Sequence, residues 1–179
     1  MKKFELKDII FLAILAAVAT LFGGLAMPVM RSEIFGIQTL VTSPFYALFA
    51  AIGIMKVKKI GTLSVFGLFT GFPLLFMSPV MFFNNFAGGV LAEIVTILVF
   101  KGYNAKTSVI CAAALWMILT VPISLPFSLW FNGSSLERFR NTALPQTILV
   151  CVGIIILSVT GAAIGLKISD ELKKAGKIK

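Results

Sequence analysis

Long apolar runs separated by short charged segments set the pattern of the chain. A membrane-spanning helix needs about 20 apolar residues. Five stretches of at least that length contain no charged residue: Ile9–Val29, Ile34–Met55, Ile60–Ala92, Thr107–Leu136 and Asn141–Leu166. The pattern therefore predicts helices that cross a lipid bilayer.

The region over 60–100 has room for two such helices, because Glu93 is its only charged residue. Proline cannot continue a helix and biases the residue before it away from helical geometry, so the pair Ser78-Pro79 predicts the break between them. We therefore predict an all-α integral membrane protein, with a single membrane domain over 1–179. Six transmembrane helices are expected, over 9–28, 34–55, 60–77, 83–100, 107–130 and 143–167.

The lysines predict how these helices are oriented. If the N-terminus lies in the cytoplasm, all thirteen lysines fall on the cytoplasmic side, and only Arg31, Arg138 and Arg140 fall outside. This asymmetry is typical of membrane proteins and places both termini in the cytoplasm. Arginine suits fixed bidentate contacts better than lysine does, so the outer loops, with Arg31, are candidates for ligand binding.

The N-terminal run has a second interpretation. It resembles a secretory signal peptide cut after Ala26, although it is long and acids (Glu5 and Asp8) precede it. We expect a retained helix. The orientation of the other five helices is the same in both cases.

Composition agrees with lipid as the main solvent of the chain. Hydrophobic residues make up 59%, charged residues 13%, and the mean hydropathy is +1.02. The net charge of +9 comes from clusters between apolar runs, so no nucleic-acid partner is expected. Cys111 and Cys151 lie deep in apolar runs without the spacing of a metal site or a disulfide framework.

The sequence lacks the residues that several kinds of chemistry require. The sequence has no phosphate-binding G-x-x-x-x-G-K-[ST] motif, so the chain is not expected to bind ATP through such a loop. It has no histidine, which removes Ser-His and Cys-His nucleophile pairs and histidine-bound metals. Glu93 has no second membrane-embedded acid beside it. We expect a protein that binds and moves a molecule, not an enzyme, and no cofactor or metal.

The stretch NNFAGGVLAEIV, over 84–95, carries polar groups into the membrane. Asn84 and Asn85 lie at the outer mouth of their predicted helix and are ligand candidates. Gly88 and Gly89 are expected to let a neighbouring helix come close. Glu93 is placed near mid-membrane, where a carboxylate is costly and needs a partner.

Two roles for Glu93 are open at this point. It is a pocket floor, a ligand contact or a proton site, or it is a structural acid bonded to Thr120, Ser64 or a free carbonyl. Other ligand candidates at the outer end are Gln38, Gln146 and, deeper, Trp116 as a stacking wall or a core residue. Further polar groups of this outer chamber are Thr39, Ser124, Ser128, Asn141, Thr142 and Thr147.

The first predicted helix has a face of small residues. Ala13, Ala16, Ala17, Thr20 and Gly24 recur at spacings of three and four, and Ala13 and Ala17 form an A-x-x-x-A pair. Small side chains let helices approach closely in a membrane. The face either packs within the chain's own bundle or docks a helix of another protein, with Ala13, Ala16 and Ala17 as the contact.

These features together resemble the substrate-binding S components of energy-coupling factor (ECF) vitamin transporters. The resemblance covers the whole chain: six short helices, lysines at the cytoplasmic ends, the A-x-x-x-A helix, TSPFYALFAAIGIMKVKKIG and GGVLAE. The chain is most similar to the group that takes up hydroxymethylpyrimidine or pyridoxine.

The resemblance implies a role and partners. An S component captures a vitamin near the extracellular side, under the loop joining its first two helices. It associates with a transmembrane coupling subunit and two cytoplasmic ATPase subunits, which use the ATP, and it is thought to topple in the membrane to release its substrate. Transferred to this chain, Ala13 and Ala17 contact the coupling subunit, residues 30–38 form a lid, and Asn84 and Asn85 contact the ligand.

Two alternatives lead to different functions. One is a small proton-coupled transporter that uses Glu93 as its proton carrier. The other is a structural or assembly protein of the membrane with no ligand.

Overall fold

The computed structural model describes residues 4–24, 28–29, 32–131 and 133–175. Arg31 and part of the expected lid over 30–38 lie outside these ranges. Within them the chain is entirely helical, with loops and turns between the helices. The helices are α1 (Leu6–Gly23), α2 (Ile37–Val57), α3 (Thr62–Leu74), α4 (Pro79–Phe100), α5 (Lys106–Trp130), α6 (Ser135–Asn141) and α7 (Leu144–Lys174).

Proline does separate the third and fourth helices. Ser78 is the N-cap of α4 and Pro79 its first residue, where a missing N–H costs no hydrogen bond. The prediction of six spanning helices is confirmed only in part. Five described helices are long and apolar enough to cross a membrane, whereas α3 has 13 residues and a length of about 20 Å. The short α6 lies in the segment predicted as the loop over 131–142 and was not anticipated.

Helices α2 and α7 touch through their backbones. A Cβ added at Gly161 would lie 2.2 Å from the Pro44 carbonyl oxygen, and one at Gly165 would lie 2.3 Å from that of Leu48. These glycines form a G-x-x-x-G pair, so α7 presents a flat face to α2. Pro44 removes the usual donor to the Leu40 carbonyl, and the Ser43 hydroxyl replaces it at 3.0 Å.

Gly88 and Gly89 of the NNFAGGVLAEIV stretch face different helices, as expected of packing residues. A Cβ at Gly89 would lie 2.9 Å from the Leu63 carbonyl oxygen of α3, and one at Gly88 would lie 3.2 Å from Thr120 of α5. On the α3 side, a Cβ at Gly67 would lie 2.6 Å from the Asn85 carbonyl oxygen. Helix α4 therefore packs backbone against backbone with α3, and packs closely against side chains of α5.

The lysines that the structure describes gather at one end of the bundle, called here the lysine end. Two ion pairs join elements there: Lys59 and Asp8 lie 2.6 Å apart, and Lys106 and Asp170 lie 2.5 Å apart. The Lys59 pair ties the turn between α2 and α3 to the start of α1. The opposite end, called here the polar end, contains α6 and the N-termini of α2, α4 and α7.

The glycine contact between α2 and α7 leads to a stability prediction. Gly161→Ala should lower the free energy of unfolding in detergent by about 1–3 kcal/mol, because a new methyl group meets rigid backbone. Gly153→Ala on the same helix is the matched control. Its Cβ would meet only the flexible Leu40 side chain, and we expect a smaller loss. Equal losses in thermal-unfolding measurements would contradict the proposed backbone contact.

Candidate functional site

A cavity of about 350 Å³ lies at the polar end, enclosed by residues from α1 to α6 and their connecting turns. Helix α2 contributes Gln38, Thr42 and Tyr46, which follow one another at a spacing of four. This spacing places three side chains on one face of the helix. The cavity lies at the end opposite the described lysines, which is the end where the sequence predicts the polar chamber.

The α4 wall contains both asparagines of the NNFAGGVLAEIV stretch, together with Met81. Asn85 Nδ2 donates to the Met81 carbonyl at 2.9 Å, and the Asn85 carbonyl accepts from Trp116 Nε1 at 2.9 Å. Asn84 Oδ1 is buried and has no hydrogen-bond partner among the described residues. A buried acceptor without a donor is costly, so this oxygen marks a place where a bound molecule is expected.

The α5 wall alternates apolar and hydroxyl side chains. Met117, Thr120, Val121 and Ser124 line the cavity at helical spacing. The Thr120 hydroxyl donates to the Met117 carbonyl at 2.7 Å, and the Ser124 hydroxyl donates to the Val121 carbonyl at 2.7 Å. Both hydroxyl protons are therefore used in hydrogen bonds within α5.

The segment around α6 forms a roof over the cavity. Gly133, Ser134, Ser135 and Arg138 are lining residues. Ser128 holds this segment to α5, because its hydroxyl donates to the Gly133 carbonyl and accepts from the Leu136 amide, the latter at 3.2 Å.

The residues before α2 are tied to the same roof. The Phe35 amide donates to Thr142 Oγ1 at 2.9 Å, and the Thr142 hydroxyl donates to the Arg138 carbonyl at 2.7 Å. The Phe35 ring packs edge-on against Phe139, with ring centroids 5.2 Å apart. The segment before α2 and the α6 segment therefore cover the cavity together.

Charge at the cavity is of one sign among the described lining residues. Arg138 lines it, and none of the seven carboxylate residues does, although all seven are described. Glu33 and Glu137 are neighbours in sequence of lining residues, and both are exposed. No group of three His, Cys, Asp or Glu side chains that could hold a metal occurs in the described ranges.

Glu93 does not line the cavity. It lies at the lysine end, 3% exposed, where its carboxylate accepts four hydrogen bonds. The Gly61 amide donates at 2.6 Å, the Ser64 amide at 3.2 Å, the Ser64 hydroxyl at 2.5 Å and the Tyr103 hydroxyl at 2.7 Å. Its placement near mid-membrane, as a pocket floor, is thus corrected: of the partners considered, Ser64 is the one it meets.

The position of Glu93 explains its presence in an apolar helix. Gly61 and Ser64 supply unpaired amides at the start of α3, and a carboxylate satisfies such amides while interacting favourably with the helix dipole. Gly61 has a φ of 97°, a conformation that favours glycine. Burial raises the pKa of the Tyr103 phenol far above its ordinary value, so this group stays a donor.

Two other ligand candidates lie away from the cavity. Trp116 is 0% exposed and packs between Tyr46 and Phe66, with ring centroids 5.9 and 5.3 Å away, so it is a core residue behind the wall. Gln146 is exposed at the start of α7 and is not a lining residue. Arg31 lies outside the described residues. Gln38, Asn84 and Asn85 are therefore the candidates that the structure brings together.

The residues on the small-residue face of α1 differ in their exposure. Ala16 is 0% exposed and packs in the core with Leu12, so it cannot belong to an outward contact surface. Ala17 is exposed and Ala13 is half-buried. Ile14 is also exposed, at 61%, on this outward side. The outward surface of α1 thus retains the A-x-x-x-A pair but not Ala16.

Sequence reasoning missed several lining residues that have ordinary helical signals. Tyr46 and Thr42 stand four residues apart on the α2 face that begins with Gln38, and Met81 precedes Asn85 by the same interval. Extending each candidate by one helical turn would have found them. Arg138 belongs to an outer loop that the sequence marked as a candidate for ligand binding, but nothing in the sequence shows that α6 folds back so that Arg138 itself lines the cavity.

Comparison with known proteins gives one strong structural likeness. No family model matches the chain, and no curated protein matches it. The fold is similar to the crystal structure of an S-component of an ECF transporter. The match has a TM-score of 0.64, covers 97% of this chain and 88% of that chain, and has a sequence identity of 15%. At this identity the likeness establishes a shared fold.

The buried network around Glu93 leads to a second prediction. Glu93→Gln should lower the free energy of unfolding by about 1–3 kcal/mol, because an amide N–H₂ replaces an acceptor and faces donors. Glu171→Gln is the matched control, since that carboxylate is exposed and pairs with the exposed Lys174, and its loss should stay below about 0.5 kcal/mol. If the two variants were equally stable to heat, that result would contradict a stabilising role of Glu93 at the start of α3.

Proposed function

We propose that this protein is the substrate-binding S component of an ECF-type importer, in a bacterial cell membrane. The observation that carries the proposal is the cavity at the polar end, where Asn84 Oδ1 is buried without a partner. Its volume of about 350 Å³ is at the low end of the range of small-molecule sites. The likeness in fold to an S-component supports the same assignment.

The proposed substrate is a small water-soluble vitamin or precursor, with hydroxymethylpyrimidine or pyridoxine as first choices. Methionines at the cavity (Met77, Met81 and Met117) offer adaptable apolar contact to a ring, and Gln38 and Asn84 offer polar contacts. With both termini in the cytoplasm, as the lysines predict, the cavity faces the outside of the cell.

The proposed partners are a transmembrane coupling subunit and two cytoplasmic ATPase subunits, which hydrolyse the ATP. The chain itself takes no cofactor. Ala13 and Ala17 form the docking surface on α1, where their small side chains let a partner helix approach closely. Toppling of the whole S component would then carry the cavity towards the cytoplasm.

The proton-carrier alternative has less support. Glu93 is separate from the cavity-lining residues and its oxygens accept four hydrogen bonds, as expected of a structural acid. A purely structural membrane protein would not need a buried, unpaired acceptor such as Asn84 Oδ1 in the wall of a cavity.

Ligand binding is tested by thermal unfolding of the detergent-purified protein with B vitamins and their precursors. A bound ligand should raise the melting temperature, with about 2.7 kcal/mol of stabilisation at 100 times its dissociation constant. Asn84→Leu should abolish this shift without destabilising the unliganded protein, because it removes an unpaired buried acceptor. Gln146→Leu, the same kind of change on an exposed surface of α7, should keep the shift.

The ligand experiment has two outcomes that count against the proposal. If no compound of the panel shifts the wild-type protein, the assignment as an S component for B vitamins fails. If Asn84→Leu keeps the full shift, binding takes place elsewhere than in the cavity.

Docking is tested by uptake in cells that express the coupling and ATPase subunits. Ala13→Trp combined with Ala17→Trp should abolish uptake while the purified variant still binds ligand, since the bulky rings face outward. Ala163→Trp, at an exposed position of α7, is the control and should leave uptake intact. Loss of ligand binding in the double variant would instead make this surface part of the chain's own packing.

A further inference from the structure

An open pocket at the lysine end lies between the start of α5 and the last two turns of α7. It is lined by four lysines and two carboxylates: Lys106, Lys167, Lys173, Lys174, Asp170 and Glu171. All four lysines are exposed, and the lining residues together carry a positive net charge. The pocket shares no lining residue with the cavity at the polar end, so it is a separate place where an anion could bind.

The two carboxylates of this pocket pair with only two of its lysines. Lys106 Nζ lies 2.5 Å from Asp170, and Lys174 Nζ lies 2.8 Å from Glu171. Lys167 and Lys173 form no ion pair with any described residue. An ammonium group gives a phosphate three donors and a full positive charge, which makes lysine a common phosphate ligand. Two ammonium groups of the pocket are therefore available to an added anion.

The length of α7 sets the depth of the pocket in a bilayer. A helix of 31 residues is about 46 Å long, whereas the hydrocarbon core of a bilayer is about 30 Å thick. The helix carries no charge from Leu144 to Leu166, and Lys167 is its first charged residue. Lys167 therefore stands where the apolar span ends, which is the level of the lipid headgroups.

An apolar surface leads directly into the pocket. Ile164 and Ile168 are 53% and 40% exposed. Together with Lys167 and Glu171 they follow a spacing of three and four, which places all four side chains on one face of α7. An acyl chain that packs on the two isoleucines would have its headgroup beside Lys167. A soluble phosphate anion would use the lysines but not this apolar surface, so the arrangement favours a lipid.

We propose that this pocket binds the phosphate of an anionic phospholipid, with one acyl chain of the lipid along Ile164 and Ile168. Lys167 and Lys173 contact the phosphate. Basic pockets between membrane helices on the cytoplasmic side are suited to anionic headgroups, and the lysines of this chain predict that orientation. The bound lipid joins the lysine ends of α5 and α7. This site does not depend on the proposed function of the polar end.

Native mass spectrometry of the delipidated protein in detergent tests the proposal, with phosphatidylglycerol and phosphatidylcholine of the same acyl chains as probes. Phosphatidylglycerol should bind on the order of tenfold more tightly. Lys167→Gln combined with Lys173→Gln should remove this preference. Lys58→Gln combined with Lys101→Gln is the matched control, because it removes the same charge from exposed lysines of the same end that do not line the pocket. The control should keep the preference.

A change of the opposite sign provides a second test in the same assay. Asp170→Asn releases Lys106 from its ion pair and makes the pocket more positive. It should tighten the binding of phosphatidylglycerol by on the order of fivefold, as expected for one added positive charge near a headgroup. Glu137→Gln, which removes an exposed carboxylate at the polar end, is the control and should leave the affinity unchanged.

Glycerol phosphate, which has the phosphate but no acyl chain, distinguishes a lipid from a soluble anion. In large excess it should fail to displace phosphatidylglycerol, and displacement would identify a site for soluble phosphates and overturn the lipid proposal. Equal binding of the two lipids by the wild-type protein would also overturn it, as would equal losses in the two double-lysine variants. Unchanged affinity in Asp170→Asn would contradict binding in this pocket. None of these results affects ligand binding at the polar end.

Discussion

Hydrogen-bond satisfaction inside an apolar bundle is the constraint on which the rest of this structure depends. Lipid offers no partner to a polar group, so each one must find its partner within the chain. Hydroxyls such as Thr120 and Ser124 turn back to their own helix, and Ser43 replaces the donor that Pro44 removes. Among the described residues, Asn84 Oδ1 departs from this rule, and Asn84 lines the cavity.

The same constraint separates two polar clusters that look alike in sequence. Glu93 stands two helical turns from Asn85, but its carboxylate closes the start of α3 at the lysine end. Asn84 belongs to the polar end, where α6 and the residues before α2 cover a cavity. One cluster joins α4 to the start of α3 through hydrogen bonds, and the other lines a cavity.

Close backbone contacts at glycine residues allow these two polar clusters to exist in one helical bundle. Gly161 and Gly165 bring α7 against α2, and Gly67 and Gly89 bring α3 against α4. Close packing supplies the attraction between helices that lipid does not. These glycine contacts hold the helices together apart from the residues that line the cavity at the polar end.

The sequence alone determined the helical class, the break at Ser78-Pro79, the packing role of Gly88 and Gly89 and the polar character of one end. These features follow from local chemistry: apolar length, the missing N–H of proline, the absent side chain of glycine. The tertiary structure alone decided that α3 is short, that Ala16 and Trp116 are core residues, and that Glu93 caps a helix. It also decided that Arg138 reaches the cavity. Helix rotation and the folding back of α6 set those positions, and both depend on contacts between residues far apart in the chain.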